Sequence, residues 1–115
     1  QLGYAARVDR AGNVVAHLPE EGRGPWVALT AHLDTVLAPR TREDIRLAGD
    51  GRFLGPGVAD NGAGLAGLLA LAKVYAARPF GQPRAGLLLV ANVGEEGEGN
   101  LSGMRYLCRQ SGLAD

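Results

Sequence analysis

Apolar residues along this chain fall into short runs separated by stretches rich in glycine, proline and charge, and the runs differ in period. Ala5-Ala6-Arg7-Val8 and Val14-Val15-Ala16-His17-Leu18 flank Asp9-Arg10-Ala11-Gly12-Asn13, which predicts an antiparallel hairpin. Trp26 to Ala31 and Ala85 to Val93 are continuous apolar runs, the pattern of strands buried on both faces. Between them, Asn61 to Arg78 places Leu65, Leu68, Leu69, Leu71, Ala72 and Tyr75 broadly on one side of a helix about 25 Å long. Pro79 stops that helix, and Pro83 keeps the next loop from resuming it. Leu101 to Arg109 predicts a second helix ending near Gly112. Glu20 to Pro25 reads as a charged loop, and Leu37 to Asp50 as a loop with at most one short strand.

Buried strands alternating with helices predict an α/β fold: a mixed, largely parallel sheet flanked by helices. In such sheets ligands gather at the carboxyl ends of the strands. Three chemically loaded segments sit at those places. His32 and Asp34 follow the first apolar run, Glu95 and Glu96 follow the second, and Asp60 precedes the long helix. His32 and Asp60 are 28 residues apart and Asp60 and Glu95 are 35 apart, spacings that suit crossover units.

Composition narrows the class. The 115 residues are 46% hydrophobic and 21% charged, an ordinary balance for one soluble domain. Twelve basic and twelve acidic residues cancel, so no nucleic-acid or anionic-membrane partner is expected. Cys108 is alone and cannot form an intrachain disulfide. No signal-peptide pattern is present, and the longest apolar stretch, Ala63 to Ala72, is too short to span a bilayer. A cytoplasmic location is the expectation. Gln1 and Asp115 both read as cut points within a longer protein.

Imidazole and carboxylate beside small residues are the ligand chemistry of a hydrolytic divalent-metal centre. In His32-Leu33-Asp34, strand alternation puts both side chains on one side, so the Asp34 carboxylate can take the second ring N–H and fix the tautomer. A structural hydrogen bond at a strand end would look the same. Asp60-Asn61-Gly62 could bridge cations or simply cap a helix. Adjacent Glu95 and Glu96 repel one another unless a cation or solvent screens them, and in a metal site one binds the ion while the other takes a proton from water. An exposed acidic turn is the alternative there.

Other features carry less. Gly62-Ala63-Gly64-Leu65-Ala66-Gly67 fits the dinucleotide-loop spacing, but Asp60 would repel phosphate and no acid follows about 20 residues on. These small residues are expected instead to let the helix pack closely on the sheet. His17 is expected to be exposed, and Cys108 to be a small core residue. Asn100-Leu101-Ser102 matches a glycosylation acceptor with no secretory signal to give it meaning. No Gly-x-Ser-x-Gly elbow supports a serine hydrolase.

Taken together, Ala31-His32-Leu33-Asp34-Thr35-Val36, Gly55-Pro56-Gly57-Val58-Ala59-Asp60-Asn61 and Gly94-Glu95-Glu96-Gly97 resemble the M20 family of dinuclear metallopeptidases and deacylases. The resemblance implies a zinc-peptidase-like catalytic domain, incomplete here, cleaving an amide bond in a peptide or N-acyl amino acid. It implies that His32 binds one metal, Asp34 orients it, Asp60 bridges two metals, Glu96 binds the second and Glu95 is the general base. The ions would be zinc, with cobalt or manganese as options. The run Asp60-Asn61-Gly62-Ala63-Gly64 departs from many M20 members, which place lysine or methionine there, and is similar to the M28 aminopeptidases. Those rank second on the Gly94 to Arg105 stretch. A non-catalytic α/β domain that keeps the family sheet is a further alternative. M20 proteins also carry a further acidic ligand, a final histidine and a lid domain used for dimerisation. The expectation is therefore a partial catalytic domain over residues 1–115, from a parent that is a possible homodimer, binding metal weakly and hydrolysing little by itself.

Overall fold

Seven residues without a charge, Gly86–Asn92, form the strand around which the chain is arranged. The computed structural model describes residues 2–18, 25–37, 40–77 and 86–109. Four of its strands form one sheet: β1 (Ala5–Val8), β2 (Val14–His17), β3 (Trp26–His32) and Gly86–Asn92, which is β6. Two more, β4 (Arg46–Leu47) and β5 (Phe53–Leu54), pair with each other as a separate ribbon. The sheet order is β1-β2-β6-β3. β3 runs parallel to β6, with Trp26 opposite Gly86 and His32 opposite Asn92. β1 and β2 form the expected hairpin, and β2 lies antiparallel on β6.

The α/β class with a mixed, helix-flanked sheet is as expected. Its parallel part is narrower than expected, being confined to the β3–β6 pair, because the front hairpin returns its second strand antiparallel against β6. Parallel neighbours need a crossover, and α1 (Gly64–Ala76) supplies it.

Alternation along β6 divides the core. Leu87 and Leu89 pack with Ala72, Leu68 and Tyr75 of α1 and with Tyr4 and Leu29. The Tyr4 hydroxyl donates to the Ala72 carbonyl at 3.1 Å. On the opposite face, Leu88 and fully buried Val90 pack with Val15 and with Met104 and Leu107 of α2 (Ser102–Leu107). Burial on both faces holds for β6. For β3 it holds only at the carboxyl end, where Ala31 and His32 are buried. Trp26 and Val27 are 45% and 49% exposed, because β3 borders the described sheet.

Other local differences have simple causes. α1 begins at Gly64 rather than Asn61, since Asp60 and Asn61 leave helical angles (φ −117°, ψ 96° and φ −125°, ψ 34°). Leu69 and Leu71, expected on its packed side, are exposed. The glycine run does not serve helix–sheet packing. A Cβ on Gly62 would lie 2.7 Å from the Gly57 carbonyl oxygen and one on Gly64 would collide with the Asn61 side chain, while Gly67 faces open space. Among its described residues, the Leu37–Asp50 region holds one helical turn, Arg42–Asp44, and the short β4. Pro79, Pro83, Gly112 and Glu20 to Gly24 lie outside the described residues. Among the described residues no helix is long and apolar enough to cross a membrane.

Candidate metal centre

Parallel pairing brings two of the three segments together. β3 and β6 end side by side, and the Leu33 N–H extends their ladder by donating to the Asn92 carbonyl at 2.8 Å. The chain beyond each strand therefore emerges at the same edge, His32 to Asp34 from one and Glu95–Glu96 from the other. Asp60 arrives from the turn Val58–Ala63, whose Asp60–Asn61 peptide bond is cis. Gly57 opens that turn at φ 69°, and the Gly62 N–H closes it on the Gly57 carbonyl at 2.8 Å. Asp60 lies before the capping position of α1, which is Ala63, so it is not the helix cap.

His32 is 7% exposed, and both its ring nitrogens face acceptors. Nδ1 is 2.8 Å from the Asp34 carbonyl oxygen, and Nε2 is 2.9 Å from Asp60 Oδ1. Glu95 Oε2 lies 3.8 Å from the same Nε2. Neither a carbonyl nor an ionised carboxylate can donate, so this environment favours a proton on each nitrogen. Burial works against that charge. The Asp34 carbonyl, the Asp60 hydrogen bond and the charges of Glu95 and Asp60 outweigh it, and the His32 pKa is raised. One ligand atom each from His32, Glu95 and Glu96 lie within 4.8 Å of one another, and Asp60 joins through its bond to His32. Among the described residues no N–H or O–H group is hydrogen-bonded to the Glu95 or Glu96 carboxylate.

Asp34 sits beside His32 but works differently from the expectation. Its main-chain oxygen holds the imidazole, while its carboxylate Oδ1 is 3.9 Å from Nδ1, beyond hydrogen-bonding range. The carboxylate instead accepts the Glu95 N–H at 3.2 Å and the Glu96 N–H at 2.9 Å. Partial burial resists its ionisation, but these two N–H groups prevail and hold the Asp34 carboxyl below its usual value. Asp34 thus fixes the imidazole with one part and the glutamate loop with another.

Two residues that the sequence reading passed over as turn residues complete the framework. Asn13 is fully buried. Its Nδ2 donates to Asp9 Oδ2 at 2.8 Å and to the Gly103 carbonyl at 3.0 Å, and its Oδ1 accepts the Val93 N–H at 3.1 Å. Asp9 Oδ1 accepts the N–H groups of Ala11 and Asn13, both at 2.9 Å. The Gly12-Asn13 pair signalled a turn, and nothing local to it signals partners 80 and 90 residues away.

The remaining expectations fare unevenly. Cys108 is exposed, not a core residue, because the side of α2 that meets the sheet is taken by Met104 and Leu107. His17 is half-buried rather than exposed. Its ring meets Trp26 edge-on at 5.7 Å between centroids, and its Nδ1 lies 3.1 Å from the Leu18 carbonyl. An apolar depression of about 770 Å³ lies against α1 and the hairpin, and none of His32, Asp60, Glu95 or Glu96 lines it.

An imidazole and carboxylates gathered at the ends of parallel strands are a donor set of the kind that holds a divalent metal. Residues 13–114 match the model of Peptidase family M28, and the chain belongs to that family. The match favours the second of the two sequence resemblances and gives M20 no support. No curated protein matches the chain.

Proposed function

We propose that this chain carries the amino-terminal ligands and the general base of a zinc-dependent peptidase of the M28 type. The observation that carries the reading is the convergence of one ligand atom each from His32, Glu95 and Glu96 within 4.8 Å, at the ends of two paired parallel strands. The donor set fits a divalent cation. Imidazole Nε2 and carboxylate oxygens are borderline-hard ligands suited to zinc, cobalt or manganese, and the clustered carboxylates lack other partners among the described residues.

His32 Nε2, Asp60 and Glu96 would hold the metal, and Asp34 would keep the imidazole aimed through its carbonyl. A bound divalent ion lowers the pKa of a water and polarises the scissile carbonyl. Glu95 takes the proton of the attacking water on a carboxylate oxygen as that water adds to the carbonyl carbon. It later gives the proton to the leaving amine nitrogen. The substrate class is a peptide, with N-acyl amino acids as the wider option.

Zinc titration by calorimetry tests the reading, comparing the parent chain with Asp60→Ala and Glu96→Ala. Binding in the parent that is lost in both variants supports it. A folded parent that takes up no zinc sinks it for this chain and favours a family-shaped domain without chemistry.

A further inference from the structure

We infer that Asn13, in the front hairpin, is a positioning residue for Glu95 and Glu96, and that it sets how tightly this chain holds a divalent cation. The inference rests on the metal reading above and extends it to a residue with no contact to the ligand atoms. Residues 93–103 form a loop with a closed base. The Gly103 N–H donates to the Val93 carbonyl and the Ser102 N–H to the Gly94 carbonyl, both at 3.0 Å. Asn13 holds both ends of that base, accepting from Val93 at 3.1 Å and donating to Gly103 at 3.0 Å. A third bond, to Asp9 Oδ2 at 2.8 Å, stops the amide from turning.

The chemistry of position 13 is narrow. One acceptor and two donors are needed within one short side chain, and an amide supplies all three. Serine offers a single donor, aspartate offers none when ionised, and leucine offers neither donor nor acceptor. Position 103 is equally narrow, because a Cβ there would collide with Asn13 Oδ1 and the Val93 backbone. The glutamate pair therefore hangs between two anchors, the Asp34 carboxylate on its own N–H groups and Asn13 at the loop base. Loosening one anchor leaves the carboxylates present but spread over more positions. Cation affinity is sensitive to such supporting bonds, which are worth about 10–100-fold where they orient ligands.

Cobalt(II) is a suitable probe, since its visible absorption reports the geometry of the ligands. The parent chain, Asn13→Ala and Asn13→Ser are each titrated with it. Circular dichroism establishes folding, and backbone amide exchange is read at Glu95 and Glu96. Folded Asn13→Ala is expected to bind at least about tenfold more weakly, with an altered cobalt band and faster exchange at both glutamates than along Leu87 to Val90. Asn13→Ser, which keeps one small uncharged group able to donate or accept at the loop base, is expected to fall between Ala and the parent. It decides the matter by the same criteria if the alanine variant does not fold. A purely structural role would lower stability yet leave the band and affinity of the folded molecules unchanged, and that result would overturn the inference. A parent chain without a cobalt band would overturn the metal reading instead. The exchange rates would then judge the loop anchor alone, and unchanged exchange at Glu95 and Glu96 would reject it.

Discussion

Asp9 and Asp60 both belong to turns that carry an asparagine, yet they live in opposite circumstances. Asp9 is buried, and both its oxygens are occupied by the N–H groups of Ala11 and Asn13 and by the Asn13 amide. Asp60 keeps three-quarters of its side chain exposed and bonds an imidazole. Around Asp9 every acid or carbonyl meets a donor. Around His32, one imidazole faces the carboxylates of Asp60 and Glu95, with Glu96 alongside. Buried polar groups normally find partners, so the first cluster is what a fold does to stabilise itself. The second gathers more carboxylates than its single imidazole can pair, a surplus that suits a divalent cation. The comparison separates acids that hold the chain from acids that the chain holds for something else.

The sharpest way to break the comparison is to remove the closed cluster. Asn13→Leu strips the Val93 N–H and one Asp9 oxygen of their Asn13 partner and removes the bond to the Gly103 carbonyl, and should cost about 3 kcal/mol in urea unfolding. A cost under about 1 kcal/mol would mean that these groups find other partners and the cluster is not the structural one.

Zinc addition probes the open cluster. At roughly 100 times its dissociation constant, zinc should stabilise the parent chain by about 2.7 kcal/mol, seen as a raised Tm. Glu96→Gln should show no such rise. An equal rise in both would place the cation elsewhere.

Asp34 spans the two categories, and its pH dependence sharpens the distinction. Its pKa is lowered in the fold, so ionised Asp34 contributes stability above its usual value near 3.8, and that stability is lost as pH falls through the lower folded value. Asp34→Asn keeps one acceptor oxygen and should cost about 1 kcal/mol at neutral pH. The gap between parent and variant should close on acidification below about pH 4. A gap that stays constant across that range would show that the carboxylate charge is irrelevant to holding the glutamate loop.

The smallest effect is also the most diagnostic. Without metal, Glu96→Gln should be slightly more stable than the parent, by about 0.5 kcal/mol, because it relieves repulsion beside Glu95. A destabilised variant would show that the Glu96 charge already has a structural partner.

Legibility in the sequence followed range. The hairpin, the β6 core strand and the body of α1 were readable because their signals, period and turn chemistry, lie within a few residues. His32, Asp60, Glu95 and Glu96 were readable as a set because each follows a strand or precedes a helix. The work of Asp34 was not, since its carboxylate is spent on N–H groups 61 and 62 residues away, while its carbonyl, which any residue has, holds His32. Asn13 was hidden for the same reason. The exposure of Trp26 and Cys108 depended on which strand ends the sheet and which face of α2 meets it. No local pattern encodes either.

The closed base of the 93–103 loop also bears on how the chain acquires its shape. The bonds that suspend Glu95 and Glu96 join residues 61 to 90 positions apart, so each requires closure of most of the chain before it forms. Contacts of such long sequence separation come late and slow folding. Capacity for a cation should therefore emerge only in the final kinetic step, together with protection of the most slowly exchanging amides of β6.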